Sequence, residues 1–326
     1  MSDFDIAETG ALPATLAEPR KPRVALALGA GAAKGLAHIG AIEVLEQRGF
    51  EIVAIAGTSM GALIGGIYGM GKLDIYRDWV STLARFDVLR LVDWSFSGGG
   101  FIKGDRIMAA LRELIGEVNI EELPIAYTAV ATDIDREREV WLTRGPLFDA
   151  IRASIAIPTL FRPYTHEGRR LVDGALLNPL PVLPLMREDV DYVIAVSVDG
   201  AAEMQQPPEK NVTAGADDGY SARLGRLFGR RGMPVGEGKP KLKDPGAFDL
   251  MTQSMDLMQA NLSRLRLAAY PPDLLIEIPR NVSTVYEFYR ARELIELGRL
   301  RTQQMLDTWQ PRQIQKNLHA VRDPSA

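Results

Sequence analysis

The chain has 326 residues, 46 % of them hydrophobic and 25 % charged, which is the composition of an ordinary globular protein with a substantial core. Its 38 basic and 42 acidic residues give a net charge of −4, and this balance argues against a general nucleic-acid binder. The absence of cysteine excludes disulfides, thiolate nucleophiles and cysteine metal ligands. No cluster of histidines and carboxylates has ligand spacing, so we expect neither a metal nor a cofactor.

The two ends of the chain differ in character from its middle. Residues 1–22 start acidic and lack an apolar stretch, which predicts a flexible arm rather than a signal peptide. No run approaches the roughly 18 apolar residues that span a bilayer. We therefore expect a cytoplasmic protein with one folded domain over 23–310, an insertion at about 201–245 and a tail over 311–326.

Two glycine loops organise the first part of the domain. Each loop follows a short β-branched apolar run, over Val24–Leu28 and Ile52–Ala56, and each is followed by apolar residues at helical spacing. The loops are Gly29–Gly35 and Gly57–Gly61. Parallel strands joined by right-handed crossovers bring both loops to the same edge of a sheet.

The rest of the chain continues the alternation of strands and helices. The predicted helical stretches are Lys72–Trp94, a helix from Gly104-Asp105 through Leu114 with Asp105 as N-cap, Leu147–Ser154, Phe248–Ala269 with methionines and leucines at helical spacing, and Val285–Trp309. The predicted strands are Ile125–Thr132 with its hairpin partner Glu139–Thr143, then Arg170–Val172, Val190–Val198 and Leu274–Ile278. Ser97–Gly100 reads as a break. This order predicts a three-layer α/β/α domain with a mostly parallel central sheet.

The second glycine loop carries a candidate nucleophile. Gly57-Thr58-Ser59-Met60-Gly61 fits Gly-x-Ser-x-Gly, the nucleophile elbow, in which a sharp turn from strand to helix leaves the Ser59 hydroxyl accessible. The alternative is a glycine-rich turn without chemistry. The first loop offers a row of backbone N–H groups near a helix N-terminus, which suits an oxyanion.

A nucleotide site is the alternative for the first loop, since Gly29-x-Gly31 begins like a dinucleotide fingerprint. The third glycine falls one place late, at Gly35, and no ribose-binding acid ends the second strand. Lys34 precedes its glycine and is not followed by Ser or Thr, so the Walker pattern fails as well. The oxyanion interpretation is therefore favoured.

A serine nucleophile needs a base. His38 lies inside the first helix, where a packing or loop-anchoring role is commoner, while His166 lies in a turn and His319 in a polar tail. Asp173 follows an apolar run and precedes Gly174, which makes it the better candidate. An ordinary Asp-Gly turn remains the other interpretation of that pair.

The three motifs, in this order, resemble the patatin-like phospholipase family in its bacterial branch, as do the flanking stretches AHIGAIEVLE, IRASIAIPTLF and VDGALLNPLPV. The resemblance covers about Val24–Gly200. It implies the patatin-like fold and a Ser-Asp dyad with Ser59 as nucleophile and Asp173 as base. It also implies an oxyanion hole at Gly31, Ala32 and Ala33, supported by motif residues Gly29, Lys34, Gly35, Gly57, Gly61 and Gly174.

Small departures from the family pattern concern the first loop. The family often has successive glycines where Ala30 and Ala32 flank Gly31, so we expect the hole to survive if these alanines have φ below zero. Lys34 takes the place of the usual basic residue, to anchor the loop or favour the anion. Ala175 stands where glycine is frequent.

The resemblance implies a serine esterase acting on fatty-acyl esters such as phospholipids or lysophospholipids. An acyltransferase with the same dyad and a regulatory or adaptor protein with incidental esterase activity are the alternatives. An apolar trough for the acyl chain could be formed by residues near the motifs, namely Leu63, Ile64, Ile67, Ile155, Ile157, Leu160 and Phe161; plain core packing is the other interpretation of each.

The insertion carries a basic segment. Tyr220–Lys243 holds seven arginines and lysines against Glu237 alone, with Leu224, Leu227 and Phe228 between them at roughly helical spacing. This pattern is typical of an interfacial helix attracted to anionic lipid, which predicts peripheral membrane contact. A solvated basic loop is the alternative.

Overall fold

The computed structural model describes residues 20–91, 100–203 and 247–310. The chain divides into two compact units, the first of residues 1–201 and 259–326 and the second of residues 202–258. The described part of the second unit consists of residues 202–203 and the N-terminal half of a long helix. The central sheet belongs to the first unit. No described helix is long and apolar enough to cross a membrane.

The secondary structure follows the predicted alternation. The strands are β1 Arg23–Leu28, β2 Glu51–Thr58, β3 Gly100–Ile102, β4 Ala126–Asp133, β5 Arg138–Leu142, β6 Thr159–Phe161, β7 Tyr164–His166, β8 Arg169–Asp173, β9 Tyr192–Gly200 and β10 Leu274–Pro279. The helices are α1 Ala37–Gln47, α2 Met60–Gly69, α3 Leu73–Val80, α4 Arg85–Leu91, α5 Asp105–Ile115, α6 Leu147–Ser154, α7 Ala247–Ala269 and α8 Ala291–Thr308.

Eight of the described strands form one sheet in the order β10-β9-β1-β2-β4-β8-β7, with β5 also paired to β4. β10, β9, β1, β2 and β4 are mutually parallel, and β5, β7 and β8 are antiparallel to their neighbours. β1 is an inner strand of this sheet, and its apolar residues Val24–Leu28 are all buried, as expected of a strand covered on both faces. The prediction of an α/β fold with a mostly parallel sheet is confirmed.

The register of the central strands brings the two glycine loops together. Leu28, the last residue of β1, pairs with Gly57 near the end of β2. Because the strands are parallel, the chain leaves both of them at the same edge of the sheet.

Several predicted elements need correction. Gly104, with φ 80°, is the N-cap of α5, so the assignment of Asp105 as N-cap is wrong; Asp105 is the first helical residue instead. The helical stretch predicted from Lys72 is two helices, α3 and α4. The predicted break at Ser97–Gly100 lies outside the described residues except for Gly100, which begins β3.

The long helix α7 is present, but its apolar spacing does not mark its buried face. Leu265 is 69 % exposed, whereas Ala260 and Ser263 are buried. Met251 and Met258 are exposed as well. Helical periodicity thus identified the helix without identifying the side that packs.

Candidate active site

Ser59 occupies a sharp turn between strand and helix. β2 ends at Thr58 and α2 begins at Met60, which leaves Ser59 alone at the turn with φ 56° and ψ −121°. A Cβ atom at Gly61 would lie 2.1 Å from the carbonyl oxygen of Leu28, so no larger residue fits there. Ser59 therefore belongs neither to β2 nor to α2 and occupies the tight turn between them.

Asp173 lies on β8, and only β4 separates this strand from β2, which leads to Ser59. It ends β8, pairs with Ala131 of β4 and is 3 % exposed. Its Oδ1 accepts a 2.8 Å hydrogen bond from the Ala175 N–H, and the Ser59 hydroxyl lies near enough to its carboxyl group to lower the pKa of that group. Both side chains that the motifs singled out are therefore buried in the same region of the structure.

The environment of Asp173 changes its acidity. Burial raises the pKa of its carboxyl group from the usual 3.8 to about 7, although the hydrogen bonds from Ser59 and from the Ala175 N–H act in the opposite direction. Desolvation disfavours the charged form of a carboxylate. A carboxylate with this pKa can accept and return a proton at neutral pH, which is what a general base requires.

The first glycine loop presents free donors. The Ala30 N–H donates to the carbonyl of Pro179 at 2.8 Å, and the Lys34 N–H donates to that of Gly31 at 3.0 Å. The N–H groups between them, at Gly31, Ala32 and Ala33, have no acceptor among the residues that the structure describes. Gly31 is the N-cap of the short 3₁₀ helix Ala32–Leu36, and Ala32 and Ala33 are the first two residues of that helix.

The condition on the backbone of this loop is not met at one of its alanines. Ala32 has φ 46°, so the condition that the alanines lie at negative φ is not met there. An L-residue in this region is strained because its Cβ approaches the following carbonyl. Gly31 has φ 171°, which is ordinary extended backbone, but a Cβ atom there would lie 2.0 Å from Cγ2 of Val198.

Lys34 is buried and joined to the end of β9. Its Nζ lies 3.3 Å from Oδ1 of Asp199, and its side chain is 11 % exposed. Of the two roles considered for this lysine, the ion pair supports anchoring of the loop.

The described histidines lie in different surroundings. His38 is fully buried, and its Nε2 lies 2.8 Å from the carbonyl oxygen of Gly29. Burial lowers the pKa of His38 to about 4, so the ring is neutral at physiological pH and Nε2 is the nitrogen that carries the proton. The prediction that His166 lies in a turn is wrong, because it is the last residue of β7, where its ring stacks on Tyr164. His319 lies outside the described residues.

Sequence reasoning missed Ser154, the last residue of α6. Its Oγ accepts a 2.9 Å hydrogen bond from the Ser59 N–H and donates one of 2.6 Å to the Val130 carbonyl. Nothing in the spacing of the motifs points to this residue. The stretch IRASIAIPTLF, which contributed to the family resemblance, contains it and was the only available signal.

An apolar cavity of about 150 Å³ adjoins Ser59. Five of the seven residues predicted to form an acyl trough line it: Leu63, Ile155, Ile157, Leu160 and Phe161. Ile64 and Ile67 do not, since both are completely buried in the core on another side of α2. The rest of the cavity wall comes from several other parts of the chain. It comprises Ala32, Met60, Tyr76, Trp79, Val80, Leu83, Val88, Ile107, Leu111, Val285, Tyr286 and Phe288.

Comparison with known proteins places this chain in a family. Residues 26–186 match the family described as patatin-like phospholipase. An NTE family protein of Mycobacterium tuberculosis is 40 % identical over 333 aligned positions, which cover 89 % of this chain and 92 % of the relative. A lysophospholipase NTE1 of Meyerozyma guilliermondii is 25 % identical, with 88 % of this chain aligned to 19 % of that longer protein.

Two further likenesses are more partial. Lysophospholipase NTE1 of Yarrowia lipolytica is 31 % identical over 54 % of this chain and 12 % of its own length. The crystal structure of VipD from Legionella pneumophila has a TM-score of 0.43 at 16 % identity, over 89 % of this chain and 67 % of that one. On the match of residues 26–186 and the extensive identity to NTE family proteins, the chain belongs to the patatin-like phospholipase family.

Proposed function

We propose that this protein is a serine hydrolase that cleaves fatty-acyl esters of lipids, of the phospholipase A or lysophospholipase type. The observation that carries the proposal is that the Ser59 hydroxyl, beside an apolar cavity, lies near enough to the buried Asp173 carboxyl group to lower its pKa. Membership of the family and similarity to lysophospholipases support carboxylic ester hydrolysis as the chemistry.

The proposed first half-reaction forms an acyl-enzyme. Ser59 Oγ attacks the ester carbonyl carbon while its proton passes to the Asp173 carboxylate. The negative charge that develops on the carbonyl oxygen is held by N–H groups of the first loop, at Gly31, Ala32 and Ala33. Loss of one such donor typically raises a barrier by about 2.7–4 kcal/mol. The protonated Asp173 then returns its proton to the leaving alkoxide as the ester bond breaks.

The second half-reaction regenerates the enzyme. The oxygen of a water molecule attacks the acyl carbon while Asp173 takes a proton from that water. The Ser59 oxygen then leaves the acyl carbon and recovers the proton from Asp173. If an alcohol took the place of water, the same residues would transfer the acyl group. Product analysis with and without an acceptor alcohol separates hydrolase from acyltransferase. An adaptor role would leave turnover at the level of a Ser59→Ala variant.

The cavity supports a substrate with an acyl chain. Its wall combines aliphatic and aromatic side chains from α2, α3, α4 and α5 with Ser59 at its boundary, which is the arrangement of a mostly apolar ligand site with few polar groups. The names of the NTE1 relatives make lysophospholipids the first class to test. We propose that the acyl chain occupies this cavity during attack.

A chain-length series tests both parts of the proposal. Wild type, Ser59→Ala and Asp173→Asn are each assayed on aryl esters of increasing acyl length, on a lysophospholipid and on a diacyl phospholipid. Turnover that rises with acyl length and disappears in both folded variants supports the dyad. Equal turnover in Ser59→Ala would overturn it.

A bulky substitution probes the cavity itself. Ile107→Trp adds volume to the cavity wall, so we expect the preferred acyl chain to become shorter while short esters are still hydrolysed. Ile75→Trp is the matched control, because Ile75 is 43 % exposed and does not line the cavity. An unchanged length preference in Ile107→Trp would place the acyl chain elsewhere.

Peripheral contact with anionic membranes is proposed for the basic segment. Residues 220–243 lie outside the described residues, so the proposal depends on their composition alone. Co-sedimentation with vesicles containing phosphatidylserine compares the full chain with a variant lacking residues 221–243. Loss of binding in the shortened variant supports the contact, and unchanged binding would refute it.

A further inference from the structure

The backbone of Ser59 is restrained on both sides. Its φ of 56° is uncommon for a residue with a side chain, and such a conformation persists only where the surroundings impose it. On the C-terminal side, the Ser59 carbonyl accepts hydrogen bonds from the N–H groups of Ala62 and Leu63 at 3.0 and 3.1 Å. On the N-terminal side, the Ser59 N–H has Ser154 Oγ as its acceptor at 2.9 Å.

Ser154 is itself held in one orientation. Its side chain is completely buried at the end of α6, and its hydroxyl donates to the Val130 carbonyl of β4 at 2.6 Å. Because the single hydroxyl proton is committed to Val130, the oxygen lone pairs face the Ser59 N–H. The hydroxyl therefore bridges the Ser59 N–H at the turn to the Val130 carbonyl of β4.

The same segment also supports Asp173. The Asp173 N–H donates to the carbonyl of Ala156, two residues after Ser154, at 3.0 Å. Gly174 packs on the carbonyl that Ser154 uses, since a Cβ atom at Gly174 would lie 2.3 Å from the Val130 oxygen. Ser154 and Ala156 thus reach the backbones of both members of the proposed dyad.

We propose that Ser154 is a positioning residue for the dyad: its hydroxyl fixes the Ser59 amide to β4 and, with the Ala156 carbonyl, sets the separation of Ser59 Oγ from the Asp173 carboxylate. Its effect on turnover rests on the proposed function. A consequence concerns the oxyanion. Because the Ser59 N–H is already bonded to Ser154, the oxyanion receives no hydrogen bond from it and depends on donors such as the first loop.

Removing the bridge should affect turnover more than binding. Ser154→Ala leaves the cavity wall intact, because Ser154 does not line it, but frees the elbow to shift. Misplacement of a reacting group by about 1 Å can cost on the order of 100-fold in rate. We expect kcat to fall by about 10- to 100-fold while KM changes by less than about 3-fold.

Two further variants separate positioning from general stability. Ser154→Cys keeps the side-chain shape but weakens both hydrogen bonds, so we expect a smaller fall in kcat, again without a change in KM. Thr302→Val is the matched control. It removes another buried hydroxyl that donates to a carbonyl, that of Gly298 at 2.8 Å in α8, and should leave kcat unchanged.

Steady-state kinetics on an acyl ester with wild type, the Ser154 variants, Thr302→Val and Ser59→Ala tests the inference. Wild-type turnover no higher than that of Ser59→Ala would overturn the proposed function. Clear wild-type turnover with kcat within 2-fold in both Ser154 variants would overturn the positioning role alone. An equal loss of kcat in Thr302→Val and Ser154→Ala would mean that loss of any buried hydroxyl lowers kcat through general stability. That result would also overturn the positioning role of Ser154.

Discussion

The imidazole of His38 donates a 2.8 Å hydrogen bond from Nε2 to the carbonyl oxygen of Gly29, at a site without solvent exposure. This bond joins α1 to the start of the loop that presents the free N–H groups. The histidine nearest to the motifs therefore holds the candidate oxyanion loop, and its Nε2 proton is engaged by Gly29 rather than by Ser59.

His38 variants should separate loop anchoring from proton transfer. His38→Ala leaves the Gly29 carbonyl without its donor and creates a void, so we expect the free energy of unfolding to fall by about 2–4 kcal/mol. Turnover should decrease, but less than in Ser59→Ala. His38→Gln, which can still donate, should retain more turnover and stability than His38→Ala. A loss in folded His38→Gln as deep as that in Ser59→Ala would contradict the dyad.

The pH dependence of hydrolysis should report the carboxyl group of Asp173. Only the ionised form can accept the Ser59 proton, and burial raises its pKa to about 7. We expect kcat/KM to rise with pH, with a midpoint near 7. His38 should not contribute to that rise, because its pKa is lowered to about 4. A profile that is flat between pH 5 and pH 9 would contradict the assignment of Asp173 as base.

The same burial should make the ionised Asp173 carboxylate destabilise the folded protein at high pH. The unfolded chain releases the Asp173 proton near its usual pKa of 3.8 and the folded chain near 7, so stability falls as pH rises through this window. The full penalty applies above pH 7 and is on the order of 4 kcal/mol, at 1.36 kcal/mol per pKa unit.

Asp173→Asn removes this penalty. The amide can still accept from the Ala175 N–H, so we expect the variant to unfold at a higher denaturant concentration than wild type at pH 8, with little difference near pH 4. Urea unfolding at the two pH values measures the effect. A variant less stable than wild type at pH 8 would show that the buried charge is compensated.

Ala32→Gly tests the strained residue in the first loop. A left-handed conformation costs an alanine about 1–2 kcal/mol, whereas glycine adopts it freely but loses about 0.5–1 kcal/mol more backbone entropy on folding. We therefore expect a gain of roughly 0.5–1 kcal/mol in the free energy of unfolding, with turnover within about 3-fold of wild type because the N–H donor remains. A loss of stability would mean that the alanine methyl in the cavity wall contributes more than the strain costs.

The sequence was informative where structure depends on local chemistry. Glycine spacing and buried apolar runs predicted β1, β2 and the turn at Ser59, because close backbone approach and strand burial restrict residue type directly. The family resemblance carried the choice of Asp173, since an Asp-Gly turn is common.

Contacts distant in sequence were not predictable. Ser154 reaches Ser59 across 95 residues through one hydroxyl, and no periodicity marks such a contact. Ile64 and Ile67 satisfied the apolar pattern of a trough, yet the packing of α2 turns them into the core while Leu63 faces the cavity. Apolar spacing indicates that a helix packs, but not which neighbour each side chain meets.

The most direct test of the central claim is covalent trapping of the nucleophile. Wild type, Ser59→Ala and Asp173→Asn react with a long-chain alkyl fluorophosphonate, and peptide mass spectrometry locates the adduct. We expect a single phosphonylated residue, Ser59, in wild type, no adduct in Ser59→Ala, and much slower labelling in folded Asp173→Asn. Modification of another residue in wild type, or labelling of Ser59→Ala at the wild-type rate, would contradict the assignment of Ser59 as the nucleophile.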